Sequence, residues 1–412
     1  MARILILVEN LSVPFDRRVW QESRALAEAG HEVTVICPRG TKRDTEPYAS
    51  IEGVEIHRYA LEAATGGPAG YLKEYGTALW HSLRLARQLD RERPFDVVQA
   101  CNPPDLLFLV ALPLKLRGAR FVFDHHDLVP ELFRSRFGAG GPLLWATELL
   151  ERATFKLSDH VISTNESYRN VARERGHKRR EQTTVVRSAP DLTRFVPAPP
   201  DPALRRGRKH LVCYLGVMGP QDGVDYALRA LASLRDDLGR TDVQAAFVGG
   251  GDSWDDLVAL SRELGLDDCA EFTGRVSDED VVRYLSTADV CLAPDPKNPL
   301  NDVSTMNKIV EYMAMSRPLV SFDLVEARVS AGDAALYATP NYEREFARLI
   351  DELLDDPERR AAMGAIGRER VESELSWEHS RRELLGAYET VLARGGELRS
   401  EAARNRLWMR RA

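Results

Sequence analysis

The chain has 412 residues, 44% of them hydrophobic and 29% charged, with 28 Gly and 22 Pro. This is ordinary globular composition and excludes a collagen, a disordered chain and a small disulfide scaffold; the length suits two or three domains. The net charge of −7 gives no general case for binding nucleic acid.

The chain opens on the apolar run Ile4–Val8, which reads as a first strand, being too short for a signal sequence with a cleavage site. Asp16–Ala29 follows as a helix with Val19, Ser23, Leu26 and Ala27 on one face and Gly30 as its stop. Further strands are expected at Val33–Cys37, Val97–Ala100, Phe121–Asp124, Val161–Thr164 and Thr184–Arg187. A second series runs through Leu211–Gly216, Ala245–Gly249, Ala270–Thr273, Val290–Ala293, Leu319–Phe322 and Ala335–Tyr337. Strands alternating with helices at this spacing mean parallel sheets covered on both faces, an α/β protein. The alternation breaks once, where Pro190, Pro197, Pro199, Pro200 and Pro202 crowd together. The expected organisation is therefore a Rossmann-like domain over 1–190, a linker over 191–204 and a second Rossmann-like domain over 205–375. A helix over 376–395, with Trp377, Leu384, Leu385, Tyr388 and Leu392 on one face, is expected to pack back on the first domain. A basic tail over 396–412 reads as a solvated end or a weak contact with anionic lipid.

Cys37, Cys101, Cys213, Cys269 and Cys291 are odd in number and widely spaced, as reduced thiols of a cytoplasmic protein would be. No uncharged stretch reaches the ~18 residues of a membrane span. The apolar runs Leu106–Leu114 and Leu143–Leu150 suit either core packing or a membrane surface.

Doubly wound domains bind ligands at the carboxyl ends of their strands, so the candidate chemistry lies in the loops there. The first strand is not followed by G-x-G-x-x-G, which argues against a dinucleotide enzyme. Arg17 and Arg18 stand at a helix start, where basic side chains oppose the helix dipole; they read as solvated surface or as an anion-facing pair. His125 and His126, between Asp124 and Asp127, end a strand. A metal site, structural hydrogen bonding and an active-site histidine all compete there, and Glu131 could share the loop's work. No third metal ligand stands at a known spacing. Gly216, Gly219 and Gly223, then Gly249 and Gly251, mark turns where backbone could approach a phosphate or simply close tightly. Asp278-Glu279-Asp280 has the spacing of a metal–nucleotide site, but Ser277 and Asp278 before Val281–Leu285 read better as a helix cap. The polar loop from Asp295 to Asn307 runs into an apolar helix on which Lys308 and Glu311 are neighbours. Glu suits the hydroxyls of a ribose and Lys a diphosphate, while an ion pair between the two is the plainer alternative.

The ordered set Gly30–Val35, Val185–Asp191 with Phe195 and Pro197, Val248–Gly251, Phe272–Val276, Ala288–Val290 and Glu311–Ala314 before Arg317-Pro318 resembles the family 4 retaining glycosyltransferases. Val13–Trp20 and Ser304–Glu311 look most like the bacterial subgroup that builds surface polysaccharides. The resemblance implies the GT-B fold, two Rossmann-like domains facing each other across a cleft, and a retaining hexosyltransferase using a nucleotide diphosphate sugar, a UDP-sugar first. It implies no metal and no further cofactor. It implies a glycan or polyprenyl-linked acceptor in cell-envelope synthesis, no nucleic acid, and a cytoplasmic location with possible peripheral contact at the membrane's inner face. Glu311 is implied to grip the ribose. His126, with His125 as fallback, is implied to contact the donor sugar, with Asp127 beside it. The base would lie against Gly274, Arg275 and Val276, and the donor near Ser304, Asn307 and Asp295. Three positions depart from the pattern: Val303 stands where members carry a sugar-contacting Glu, and Val217 and Asp222 stand where they carry an Arg and a Lys that clamp the diphosphate. Lys308, with Lys297, is the expected substitute for the clamp, and Asp295 or Asp302 the sugar contact. A nucleotide-sugar 2-epimerase using Asp16, Asp127 and Glu131, or a non-catalytic partner subunit, are the alternatives.

Overall fold

The computed structural model describes the backbone of residues 1–40, 43–62, 67–137 and 140–409, and side chains there except at 67–69, 71–72, 136–137, 394 and 396–409. The side chains of the basic tail therefore lie outside the described residues. The chain divides into two compact units: unit 1 holds Met1–Arg187 and Ser380–Ala412, unit 2 holds Ser188–His379.

Unit 1 runs β1 (Arg3–Leu7), α1 (Arg17–Glu28), β2 (Glu32–Pro38), β3 (Tyr48–Ile51), β4 (Val54–Tyr59), α2 (Gly67–Glu92), β5 (Val97–Cys101), α3 (Phe108–Leu116), β6 (Arg120–His125), α4 (Val129–Phe137), α5 (Pro142–Leu157), β7 (His160–Ser163), α6 (Glu166–Glu174) and β8 (Thr183–Val185). Its sheet has the order β3-β4-β2-β1-β5-β6-β7-β8, parallel except for β3. The β3–β4 hairpin was not among the expected strands. Its turn at Glu52 and Gly53 takes φ of 49° and 82°, the tight left-handed turn of a two-residue hairpin.

Unit 2 runs β9 (His210–Leu215), α7 (Val224–Asp236), β10 (Val243–Val248), α8 (Trp254–Glu263), β11 (Ala270–Gly274), α9 (Asp278–Thr287), β12 (Val290–Ala293), α10 (Asn307–Ala314), β13 (Leu319–Phe322), α11 (Val325–Ala331), β14 (Ala335–Ala338), α12 (Glu343–Asp355) and α13 (Pro357–Arg370). Its six-stranded sheet is wholly parallel, with the order β11-β10-β9-β12-β13-β14. A last helix, α14 (Trp377–Met409), closes the chain. Both sheets are largely apolar inside because helices cover both faces, and each unit has its own core.

The proline-rich stretch is not a free tether. Phe195 is buried in unit 2's core, and the Ala198 and Asp201 amides donate to Ser286 Oγ and Thr287 Oγ1 of α9, each at 2.9 Å. The buried face of α14 is Ser380, Leu384, Ala387, Tyr388 and Val391, with Leu385 and Leu392 only half-buried. On α1 the buried face includes Arg18 and Glu22 beside Val19, Ser23, Ala25 and Leu26. A polar pair on the inner side is why the expected face, with Ala27 in it, was rotated.

Strand order reverses in each sheet, between β1 and β5 in unit 1 and between β9 and β12 in unit 2. These switch points open a crevice at the strands' carboxyl ends, so the loops after β1, β5, β9 and β12 are where each unit can hold a ligand.

Candidate active site

In unit 1, β6 ends on Asp124 and His125, and the two histidines have opposite fates. His125 is fully buried among Phe123, Phe155 and Tyr168, and burial, with Arg175 and His126 adding to it, drives its pKa down to about 3. It is a neutral core residue. His126 keeps 14% of its side chain exposed. Its turn is clamped by Asn102, which follows β5: Asn102 Oδ1 accepts from the His126 and Asp127 amides at 2.6 and 3.1 Å, and Asn102 Nδ2 donates to Asp127 O at 2.7 Å.

Beneath His126 lies a buried ionic cluster. His126 Nε2 is 2.6 Å from Asp124 Oδ2 and 2.7 Å from Arg18 Nε. Arg18 Nη2 meets Asp124 Oδ1 at 2.9 Å and Glu22 Oε1 at 3.1 Å, and Nη1 donates to Val186 O at 2.7 Å. Gln99 Nε2 donates to Glu22 Oε2 at 2.7 Å, and Tyr388 of α14 donates to Gln99 Oε1 at 2.5 Å. Burial penalises every charge here, but the partners decide the outcome. Burial is outweighed by Arg18 and His126 at Asp124, which stays ionised, and by Asp124 and Glu22 at Arg18. For His126, burial lowers the pKa and Asp124 more than restores it, so it ends above the ordinary value. Glu22 is pushed up to about 8 by burial and then by the Asp124 charge, so it holds a proton at neutral pH.

Arg17 and Arg18 part company, Arg17 matching the solvated-surface reading and Arg18 neither of the two. Adjacent helix residues point about 100° apart; Arg17 is exposed and Arg18 is in the cluster. Cys101, Asp124 and His126 have ligand atoms within 4.8 Å of one another, so the structure supplies the third metal-type group that spacing did not. Arg18 already brings Asp124 its cation, and His126 Nε2 lies 2.6 Å from Asp124 Oδ2, so two of these three groups are committed to each other and to Arg18. Asp16 accepts from the Val19 amide as the cap of α1, and Glu131 is engaged by Arg175 at 2.7 Å.

In unit 2 the glycine turns close on one another. Gly249 has φ 132°, and a Cβ there would stand 1.9 Å from Gly216 O; Gly223 has φ 67°, and a Cβ would stand 2.1 Å from Pro294 O. The Gly251 turn is equally tight, a Cβ there meeting Met218 O at 2.6 Å. The Gly219 amide, a candidate phosphate donor, is spent on Asp222 Oδ2 at 2.9 Å, and the Met218 amide on Gly250 O at 3.2 Å. Lys308, in the first turn of α10, reaches Asp295 Oδ1 at 2.6 Å and Asp222 Oδ1 at 3.8 Å and lies 5.0 Å over the Tyr214 ring. It is buried and remains charged, because Asp295, Tyr214 and Asp222 together outweigh the burial penalty. Lys308 is thus held by two carboxylates, and it ties the first glycine turn to the end of β12. Asp295 is correspondingly the lysine's partner, although its Oδ2 is buried without one.

Helix α10 is fixed by Tyr312, whose buried hydroxyl accepts from the Leu215 amide at 2.8 Å and donates to Leu292 O at 3.0 Å, joining β9 and β12 at the switch point. Glu311, next to it, is half-buried, and Asn307 is exposed at the helix start. Ser304 Oγ donates to Leu300 O at 2.7 Å; Asp302 accepts from Lys297 at 3.2 Å and from the Val325 amide at 3.0 Å. Arg275 is exposed and Val276 half-buried after Gly274, whose φ is 69°. Ser277 caps α9 through the Asp280 amide at 3.1 Å, as its position implied. Asn301, not singled out from sequence, donates to Gln221 O and Pro296 O at 2.8 and 2.9 Å and joins the two loops. Asparagines in loops give no periodic signal; Asn102 and Asn301 were legible only as loop formers.

Two family models match the chain: "Glycosyl transferase 4-like domain" over residues 16–189 and "Glycosyl transferases group 1" over 209–356. Glycogen synthase of Mycobacterium tuberculosis is 26% identical over 379 residues, 88% of this chain and 87% of that protein. The 2-deoxystreptamine glucosyltransferase of Streptomyces kanamyceticus is 26% identical over 402 residues, 92% of this chain and 99% of that one. Among solved structures, sucrose-phosphate synthase from Thermosynechococcus elongatus superposes with a TM-score of 0.77 at 19% identity, covering 95% of this chain and all of that one. Anabaena HepE in complex with UDP-glucose gives a TM-score of 0.72 at 16% identity, covering 95% and 100%. These matches give the 2-epimerase alternative no support. The chain belongs to the family 4 glycosyltransferases of GT-B fold, and its activity is the transfer of a glycosyl group.

Proposed function

We propose that the protein transfers a hexose from a UDP-sugar to an acceptor hydroxyl with retention of configuration, in the assembly of a cell-envelope or secreted polysaccharide on the cytoplasmic side. The observation that carries this reading is the placement of α10: Tyr312 locks the helix at unit 2's switch point, and this helix, which carries Lys308 paired with Asp295 and Glu311 one turn on, starts at the loops where such sheets hold ligands. A carboxylate there can accept both hydroxyls of a ribose. The likeness to HepE with UDP-glucose supports the choice of donor. The acceptor belongs to unit 1, with His126 as the side chain nearest the reacting centre and Asp127 beside it.

As the anomeric bond breaks, negative charge grows on the diphosphate. The chain can meet it with backbone N–H groups at the start of α10 and with Lys308 drawn from Asp222, the more distant of its two partners. The acceptor hydroxyl enters from the leaving-group face and gives its proton to the diphosphate, so no pair of catalytic carboxylates is needed. This account assigns no metal. A polyprenyl-linked glycan at the membrane's inner face is the acceptor that best fits the reading; none of the described helices is long and apolar enough to cross a membrane.

The test is transfer from UDP-sugars by purified protein, with the anomeric configuration of the product read by proton NMR. An inverted linkage, or no transfer from any UDP-hexose in the presence of lipid-linked acceptors, would refute it. Glu311→Ala and His126→Ala should lose transfer while remaining folded.

A further inference from the structure

The hydrogen-bond chain beneath His126 starts on the last helix of the protein. Tyr388 of α14 is buried, and its hydroxyl donates to Gln99 Oε1 at 2.5 Å across 289 positions of sequence. Burial, with Glu22, Cys101 and Asp124 adding to it, raises the Tyr388 pKa well above its usual value, so the hydroxyl keeps its proton.

Gln99 sits at the middle of β5 with no exposed surface, and its amide has one permitted sense. Its Nε2 faces Glu22 Oε2 at 2.7 Å and Asp124 Oδ2 at 3.3 Å, and a carbonyl oxygen turned toward the Asp124 carboxylate would be repelled. Oε1 therefore looks toward α14, where Tyr388 supplies its donor; among the described residues no other donor reaches it. A buried acceptor deprived of its donor bears its full desolvation penalty, so the hydroxyl and the amide are fixed as a pair. The chain then converges on Asp124 Oδ2, which takes the Gln99 N–H and lies 2.6 Å from His126 Nε2. Arg18 Nε stands 2.7 Å from the same nitrogen. Nε2 is thus committed to the cluster, and Nδ1 is the ring nitrogen left to face a substrate.

We propose that Tyr388 and Gln99 are positioning residues for glycosyl transfer: the Tyr388 hydroxyl fixes the sense of the Gln99 amide, whose N–H tempers Asp124 and so sets how firmly Asp124 holds and aligns His126. This deepens the proposed function and rests on its placing of His126 near the reacting centre. The sign of the effect follows from hydrogen bonding, since each N–H given to a carboxylate lowers its basicity. Without the Tyr388 hydroxyl the amide turns over, Oε1 takes the proton that Glu22 holds at neutral pH, and Asp124 Oδ2 loses the Gln99 donor. Asp124 then draws His126 more strongly, and the imidazolium persists to higher pH. The other titratable and charged groups facing His126 are Arg18 and Glu22 of α1, the neutral His125 of β6 and Cys101 of β5.

The test is NMR titration of the His126 ring protons in the full chain, assigned by their loss in His126→Gln, beside kcat and KM for transfer over the same pH range. Tyr388→Phe keeps the packing of the ring and removes only the hydroxyl. It should raise the His126 pKa by about half a pH unit, move the pH profile of kcat with it, and leave KM for the UDP-sugar within about twofold. Gln99→Met should give a similar rise, and Tyr388→Phe should add nothing to it, because the hydroxyl acts through the amide. An unmoved His126 titration in folded Tyr388→Phe, or shifts that add in the double variant, would overturn the proposal. So would a lowered thermal midpoint with both pH profiles unmoved, which would make Tyr388 a packing residue. If Gln99→Met does not fold, Tyr388→Phe decides alone. If the titration moves and the kcat profile does not, the placing of His126 near the reacting centre falls while the chain from Tyr388 to His126 stands.

Discussion

Replacing Asp124 by Asn removes the charge that Arg18 and His126 share while preserving shape. Severing a buried ion pair ordinarily costs about 3–5 kcal/mol, because the surviving charge is left without a partner. Here the structure holds a reserve. Glu22 Oε1 lies 3.1 Å from the same Arg18 nitrogen, and Glu22 is protonated at neutral pH largely through burial and the Asp124 charge. With that charge gone, Glu22 can ionise and take over Arg18. Asp124→Asn should therefore cost only about 1–2 kcal/mol, and Glu22→Gln, which mimics the protonated acid, less than about 1. The double variant leaves Arg18 buried without a carboxylate and should cost the full 3–5, a coupling of about 2 kcal/mol. Native-state hydrogen exchange of the β5 and β6 amides in dilute denaturant reads the opening free energy of this part of unit 1. Losses that add to within about 0.5 kcal/mol would refute the idea of a shared proton and a reserve partner.

The pH dependence of the same cluster has a definite sign. Burial and then Asp124 set the His126 pKa, with a net rise, so its pairing stabilises fully below about pH 6.5 and is lost as pH climbs through the folded-state pKa. The stability deficit of His126→Gln, followed by urea titration at several pH values, should thus shrink as the medium becomes alkaline. Glu22 behaves oppositely to a paired carboxylate: its folded pKa of about 8 lies above its unfolded value, so it withdraws stability as pH rises from about 4.5 to about 8, and Glu22→Gln should gain on the wild type across that window. Asp222→Asn removes the weaker of Lys308's two carboxylate partners and should tighten UDP binding about tenfold in calorimetric titration; weaker binding would show that Asp222 organises the turn rather than competing for the lysine. Gly249→Ala forces a methyl group against Gly216 O and should lower the thermal midpoint by several degrees or abolish soluble expression.

Much of the fold was legible because buried parallel strands write themselves as short apolar runs. Every strand expected from such a run formed, within two residues at each end. The β3–β4 hairpin escaped because its half-exposed strands, Tyr48–Ile51 especially, lack an apolar run. Glu311, Lys308 and His126 were legible as residue types at loop ends. Their partners were not, because those come from distant segments: Asp222 is 86 positions before Lys308, and Arg18 lies 108 before His126. Arg18 and Glu22 mimic surface residues in a helical pattern, and only the neighbouring strands show that they face inward. For the same reason Lys308 looked like an available cation from sequence, whereas Asp295 and Asp222 claim it in the folded chain. His125 and His126 look alike from adjacent positions alone; the side-to-side alternation of a strand sends His125 into the aromatic core.

Calorimetric titration of UDP into the wild type and Glu311→Ala tests the central claim most directly. The account predicts one site in the wild type and, for the variant, a loss of at least a hundredfold in affinity, corresponding to two charge-assisted hydrogen bonds of about 1.5–3 kcal/mol each. Unchanged affinity in a folded Glu311→Ala protein would contradict it.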